Sequence, residues 1–251
     1  MNTKISYSLF GLVLLSVAFL NLSFSLPSEP KKPLNIIIMI GDGMGLSQMS
    51  SAYFYGDKEP NFSRFPIVGL SRTSSSSEKI TDSAAGATAI STGKKTYNGA
   101  IGVDDKKKDL ETLLEYFAKK GKKTGLVATS SITHATPASF YAHENSRNSQ
   151  RAIAKQLLEA PIDFFAGGGK KFFNVGEGRD DLTLHLIAQG FYINTSQLDK
   201  KLPPNDSAKY GYLLADDKMP RISEGRGDFL SKASLLGIDA LKKNEEGFFM
   251  M

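Results

Sequence analysis

Apolar residues along this chain fall into two alternating rhythms. The first is the short unbroken run: Leu34–Ile40, Leu126–Thr129, Ile162–Ala166, Phe191–Asn194, Tyr210–Ala215 and Gly247–Met251. Runs of this length, rich in β-branched and aromatic side chains, predict strands, and the more continuous ones predict burial on both faces of a parallel sheet. Ile67–Thr73 reads as a further strand. The second rhythm is helical: Leu46–Tyr55, a small-residue stretch after Ser83, Asp109–Gly121, Arg147 to about Leu158, Leu182–Gln189 and Phe229–Lys243. The clearest of these is Asp109–Gly121. Leu110, Leu113, Leu114 and Phe117 make one stripe, acids lead, lysines trail, and Gly121 supplies the C-cap. Strands alternating with helices predict an α/β fold, a mostly parallel central sheet with helices on both faces.

The first 25 residues stand outside this alternation. Lys4 precedes an apolar run, Leu9–Leu20, and Ser23-Phe24-Ser25 offers a small-x-small cleavage pattern. That is the layout of a secretory signal peptide, and the run is short for a stable membrane anchor. Residues 26–251 are then the mature portion, exported to a periplasm or secreted. The chain has no cysteine, so this exported protein has no disulfide to support it. Its stability must come from its core, bound metals or partner subunits.

Charge adds little. The 31 basic and 26 acidic side chains give +5, with lysines scattered in pairs and one triplet, Lys106–Lys108. There is no Arg-rich block with interleaved aromatics, so no nucleic-acid partner is expected. A mild basic bias suits anionic substrates.

Candidate chemistry collects where strands end. Gly41-Asp42-Gly43-Met44-Gly45 follows the first strand at once. A dinucleotide fingerprint would need a third glycine at position 46, which is Leu46, so that reading fails. Asp42 is then a metal-ligating carboxylate or a helix N-cap. Ser83 opens the small-residue helix Ala84–Ile90, either as an ordinary N-cap or as a hydroxyl held where a phosphate is welcome. His134 and Thr136, just past another strand, lie on one side of an extended segment and could reach a common ion. Arg147 opens a helix with Ser146 as its cap, and could grip a phosphate with two N–H groups. Neither Gly93-Lys94 nor Gly167-Gly168-Gly169 has P-loop spacing.

Taken in order, Ile40–Gly45, Thr81–Ala89 and His134–Ala138 resemble the N-terminal signatures of the alkaline phosphatase family. Ser146-Arg147-Asn148 and Gly247–Met250 are similar to the same family's pattern, so the likeness runs from about Leu34 to Met251. The resemblance implies a phosphomonoesterase with two zinc ions and one magnesium ion, on a sheet sandwiched by helices, with a homodimer for a complete chain. It implies Ser83 as the nucleophile that becomes phosphoserine, and Arg147 as the holder of the substrate phosphate. Asp42 would bridge a zinc and the magnesium, Ser83 would touch zinc, Thr136 would ligate magnesium, and His134 would tune the magnesium site. The substrates would be small phosphate monoesters.

One departure qualifies all of this. In the family most zinc ligands follow the Gly-Phe-Phe-Met stretch, whereas this sequence ends at Met251 with His134, His143 and His185 as its histidines. The chain therefore reads as a truncated N-terminal portion of the catalytic domain, with little turnover by itself. Two other readings stay open. One is a related metal-dependent phosphodiesterase or sulfatase; the other is a non-catalytic exported protein that binds phosphate or a divalent cation.

Overall fold

The computed structural model describes residues 35–205 and 208–251. Within them, six parallel strands form one sheet in the order β1-β6-β2-β3-β5-β4. These are β1 (Asn35–Ile37), β2 (Lys123–Ser131), β3 (Phe164–Gly168), β4 (Phe191–Asn194), β5 (Lys209–Leu213) and β6 (Phe248–Met250). The α-helices between them are α1 (Leu46–Tyr55), α2 (Ser83–Thr92), α3 (Leu113–Lys119), α4 (Ala135–Ala138), α5 (Gln150–Gln156), α6 (Lys170–Phe173), α7 (Leu182–Ala188) and α8 (Phe229–Leu241).

Period-two alternation along the strands sends successive side chains to opposite faces, and both faces are covered. Phe164, Tyr212, Phe248 and Met250 face α8, packing with Phe229, Ala233 and Leu236. Their neighbours Phe165, Leu213 and Phe249 face the other way, into a core with Leu114 of α3, Ile153 of α5 and Leu186 of α7. Burying each such side chain contributes about 1.5–3 kcal/mol. The predicted three-layer α/β architecture is therefore present, with all strands parallel.

Several local expectations need correction. Leu34–Ile40 is not a central strand: β1 spans Asn35–Ile37 at one edge of the described sheet, and Leu34 lies outside the described residues. Ile36, Ile38 and Ile40 pack on the core while Met39 is 78% exposed. An unbroken apolar run says that a strand can be covered twice; neighbouring elements decide whether it is. Ile67–Thr73 forms no strand, and Ile67 and Leu70 are 86% and 100% exposed. Strand propensity is largely cross-strand packing, and no described strand flanks this segment. The 109–121 helix begins later, at Leu113, because Asp109 pairs with Val103 in an antiparallel bridge and Thr112 takes the cap. The predicted signal peptide, residues 1–25, lies outside the described residues. No described helix is long and apolar enough to cross a membrane.

Candidate active site

Two strands deliver their chemistry to the carboxyl edge of the sheet, where open α/β folds bind ligands. Asp42 sits in the turn that follows β1, where the Met44 N–H closes back on the Gly41 carbonyl at 3.1 Å. Thr136 sits in α4, just past β2. Ser83 is the first residue of α2. The Asp42 carboxylate joins all three: Oδ1 accepts the Ser83 hydroxyl at 2.9 Å and Oδ2 accepts the Thr136 hydroxyl at 2.9 Å. Helix α1 is capped by Gly45, so Asp42 is free of the capping role that the sequence allowed it.

Helix α2 is held close by its small residues. Ala84, Ala85 and Ala87 are buried, and Thr88 donates to the Ala100 carbonyl at 3.1 Å while accepting the Gly102 N–H at 3.0 Å. The buried Ser139 hydroxyl, at the end of α4, bonds the Ala135 carbonyl at 2.8 Å and lies 3.2 Å from Thr88 Oγ1. The helix that carries Ser83 is thereby fastened to the one that carries Thr136.

Asp82, not Ser83, caps α2. Its Oδ1 accepts the Ala85 N–H at 2.9 Å, and its Oδ2 receives Arg147 Nη1 at 3.0 Å. Burial opposes ionisation of this carboxyl. The Ala85 N–H, the Arg147 guanidinium and the Gly99 N–H outweigh it and hold the acid below the usual aspartate range. Sequence reasoning missed Asp82 as a site residue, although an Asp directly before a small-residue helix is a strong N-cap signal. Arg147 itself precedes its predicted helix, since α5 starts at Gln150 after Ser149. The Arg147 backbone N–H donates to the Gly99 carbonyl at 2.8 Å.

His134 does not share a partner with Thr136. It caps α4 from outside, and its Nε2 lies 3.2 Å from Arg147 Nη2. An arginine can only donate, so Nε2 accepts and the ring is neutral, with its proton on Nδ1. Burial and the adjacent guanidinium push this imidazole's pKa down, against a weaker opposing pull from Asp42 and Asp217. The other two histidines lie elsewhere. His143 is engaged with Glu115 at 3.0 Å and the Gly102 carbonyl at 2.8 Å, and His185 is on α7.

The donor set decides which metal suits the site. Asp42, Ser83 and Thr136 converge through oxygens alone, the ligand type of a hard cation such as magnesium. Zinc sites draw three or four ligands, commonly from His, Cys and carboxylates. Among the described residues no group of three or more His, Cys, Asp or Glu could hold a metal ion. The described residues fit magnesium at Asp42–Thr136 and do not complete a zinc site.

Residues 33–251 match the family model described as alkaline phosphatase. The chain is 37% identical to alkaline phosphatase 3 of Bacillus subtilis (strain 168), an alignment that covers 95% of this chain and 56% of that protein. It is 32% identical to the alkaline phosphatase of Escherichia coli (strain K12), covering 90% of this chain and 60% of that one. Among solved structures, the alkaline phosphatase of the Antarctic bacterium TAB5 superposes with a TM-score of 0.83 at 48% identity, over 87% of this chain and 64% of that one. A histidine-to-aspartate variant of the TAB5 enzyme, solved with magnesium in its M3 site, also gives 0.83. The chain thus spans between half and two thirds of the length of these relatives.

Proposed function

Since this chain belongs to the alkaline phosphatase family, we propose that it carries the nucleophile and the phosphate-gripping arginine of a phosphate monoester hydrolase. The observation that carries the reading is the Asp42 carboxylate shared between the Ser83 and Thr136 hydroxyls, beside an Arg147 fixed by Asp82. Ser83 Oγ holds its proton against Asp42 Oδ1, which orients a lone pair outward from the N-terminus of α2. In the reaction the Ser83 Oγ–phosphorus bond forms as the bond from phosphorus to the alcohol oxygen breaks, and the Ser83 proton passes to Asp42 Oδ1. The departing alkoxide takes a proton from water and leaves as the alcohol, and water then releases phosphate from the phosphoserine. Arg147 has five N–H donors, two of them engaged with Asp82 and His134, so the remaining ones can bind phosphate oxygens. The first N–H groups of α2 add a positive field where charge develops. Magnesium, when bound at Asp42 and Thr136, supplies electrostatic stabilisation of the phosphate charge. Neutral His134 keeps Arg147 aimed without a second positive charge beside it.

No step is assigned to zinc, because the described residues do not complete its site. The substrates are small phosphate monoesters. The protein is exported, and a complete chain forms a homodimer.

The test is acid-quench trapping of ³²P-labelled protein with magnesium and zinc added, alongside p-nitrophenyl phosphate turnover. Label on Ser83 that disappears in Ser83→Ala supports the proposal. Undiminished label or turnover in that variant removes Ser83 from the role. Magnesium and phosphate binding without any label would favour a non-catalytic binding protein.

A further inference from the structure

The turn Tyr97-Asn98-Gly99-Ala100 lies between the nucleophile helix and Arg147, yet none of its side chains has a place in the chemistry above. The Ala100 N–H closes on the Tyr97 carbonyl at 3.2 Å, and Gly99 has φ 95°, the conformation a type II turn demands of its third residue. On one side this strip is zipped to the segment that carries Arg147. Ile101 and Glu144 exchange both backbone hydrogen bonds, Gly99 accepts from the Arg147 N–H, and the Tyr97 hydroxyl donates to the Asn145 carbonyl at 3.0 Å. On the other side the Asn98 amide grips the approach to Ser83. Its Oδ1 accepts the Asp82 N–H at 3.1 Å, and its Nδ2 donates to the Ile80 carbonyl at 3.0 Å.

We infer that Asn98 is a positioning residue for phosphate capture, setting the distance between the Ser83 helix and the Arg147 guanidinium through Asp82. Asp82 points one oxygen at the helix start and the other at Arg147. The direction of that second oxygen depends on where the Asp82 backbone is held, and Asn98 holds its approach through the two consecutive peptide groups that flank Thr81. An amide is the side chain that can accept from one peptide and donate to another two residues away. Without it, the Ile80–Asp82 approach is free to swing and the guanidinium loses its fixed partner. A group required within about 0.5 Å of its working position needs such support.

The inference rests on the phosphate-binding reading, so the experiment separates the two. The Arg147 guanidinium N–H signals are followed by ¹⁵N NMR exchange in the full chain, and the affinity for inorganic phosphate is measured calorimetrically with magnesium present. Asn98→Ala is compared with Ser77→Ala, which loosens the same turn by removing the acceptor of the Asn98 backbone N–H (3.1 Å) but leaves the Asp82 contacts. Losing a hydrogen-bonded link of this kind should speed guanidinium exchange and weaken phosphate binding by about fivefold in Asn98→Ala, with changes within about twofold in Ser77→Ala. Asn98→Asp, which keeps the acceptor for the Asp82 N–H but loses the donor to the Ile80 carbonyl, should give exchange between wild type and Asn98→Ala, and it serves as the second variant if Asn98→Ala fails to fold. Equal exchange rates in Asn98→Ala and Ser77→Ala, or loss of protection in Asn98→Asp equal to that in Asn98→Ala, would overturn the inference. If the wild-type chain binds no phosphate, the functional reading falls, and the exchange measurement still decides the role of Asn98.

Discussion

Asp82 and Arg147 form an ion pair, Oδ2 to Nη1 at 3.0 Å, in which each side chain is 26% exposed and the carboxylate simultaneously caps the helix that presents Ser83. One acid therefore couples the start of the nucleophile helix to the orientation of the arginine. Breaking it should cost stability and geometry together. Asp82→Ala is expected to lose about 1–2 kcal/mol, from the lost cap and the partly screened pair. Asp82→Asn keeps a good capping oxygen and should lose less, while still loosening Arg147 and weakening phosphate binding. Urea denaturation and phosphate calorimetry on both variants separate the two contributions.

The same acid predicts behaviour at low pH. Its folded-state pKa lies below its unfolded value, so its stabilisation is fully present above about 3.9 and is lost as pH falls through the depressed folded value. Acid titrations of melting temperature should show a shallower low-pH decline in Asp82→Asn than in wild type.

His143 and Glu115 make the opposite prediction at the alkaline side. The Glu115 carboxylate raises the imidazole's pKa, burial opposes it, and the Gly102 carbonyl adds to the rise. For Glu115, burial opposes ionisation, but His143 and the Thr112 N–H outweigh it and lower the pKa. His143's contribution is therefore complete below about 6.5 and disappears as pH rises through its raised folded value, while Glu115's is complete above about 4.3. Melting temperature measured from pH 5.5 to 9 should fall more in wild type than in His143→Gln. Parallel curves would remove the pair from the pH response.

Magnesium affinity should depend on Asp42 before any other residue. Loss of a mere supporting partner around a metal costs 10–100-fold, so Asp42→Asn is expected to weaken magnesium binding by at least about tenfold, and Thr136→Val by less. Isothermal titration with MgCl₂ reads both.

Packing at the sheet's carboxyl edge should tolerate no added methyl at Gly168. A Cβ there would overlap the Asp217 carbonyl oxygen, which is backbone and cannot rotate away. Gly168→Ala is expected to destabilise by about 3 kcal/mol, measurable as a shift in the urea midpoint.

Much of this molecule could be read along the chain. Strand and helix periods predicted the parallel α/β sandwich, because alternation along β3 and β6 must bury both faces somewhere. Glycines around Asp42 and small residues after Ser83 marked the places where backbone and ligand come close. Those features are local, and local sequence carries them. The tertiary structure decided what depends on distant neighbours. Among the described residues it put β1 at an edge of the sheet and left Ile67–Thr73 without a strand partner, since coverage and pairing belong to other segments. It gave the cap to Asp82 and set His134 against Arg147 while Thr136 bonds Asp42. It also drew Asn98, which reads as an ordinary turn residue, against Asp82. A hydrogen bond is set by the meeting of two chain segments in space, and the residue types at either end do not say which partner will be there.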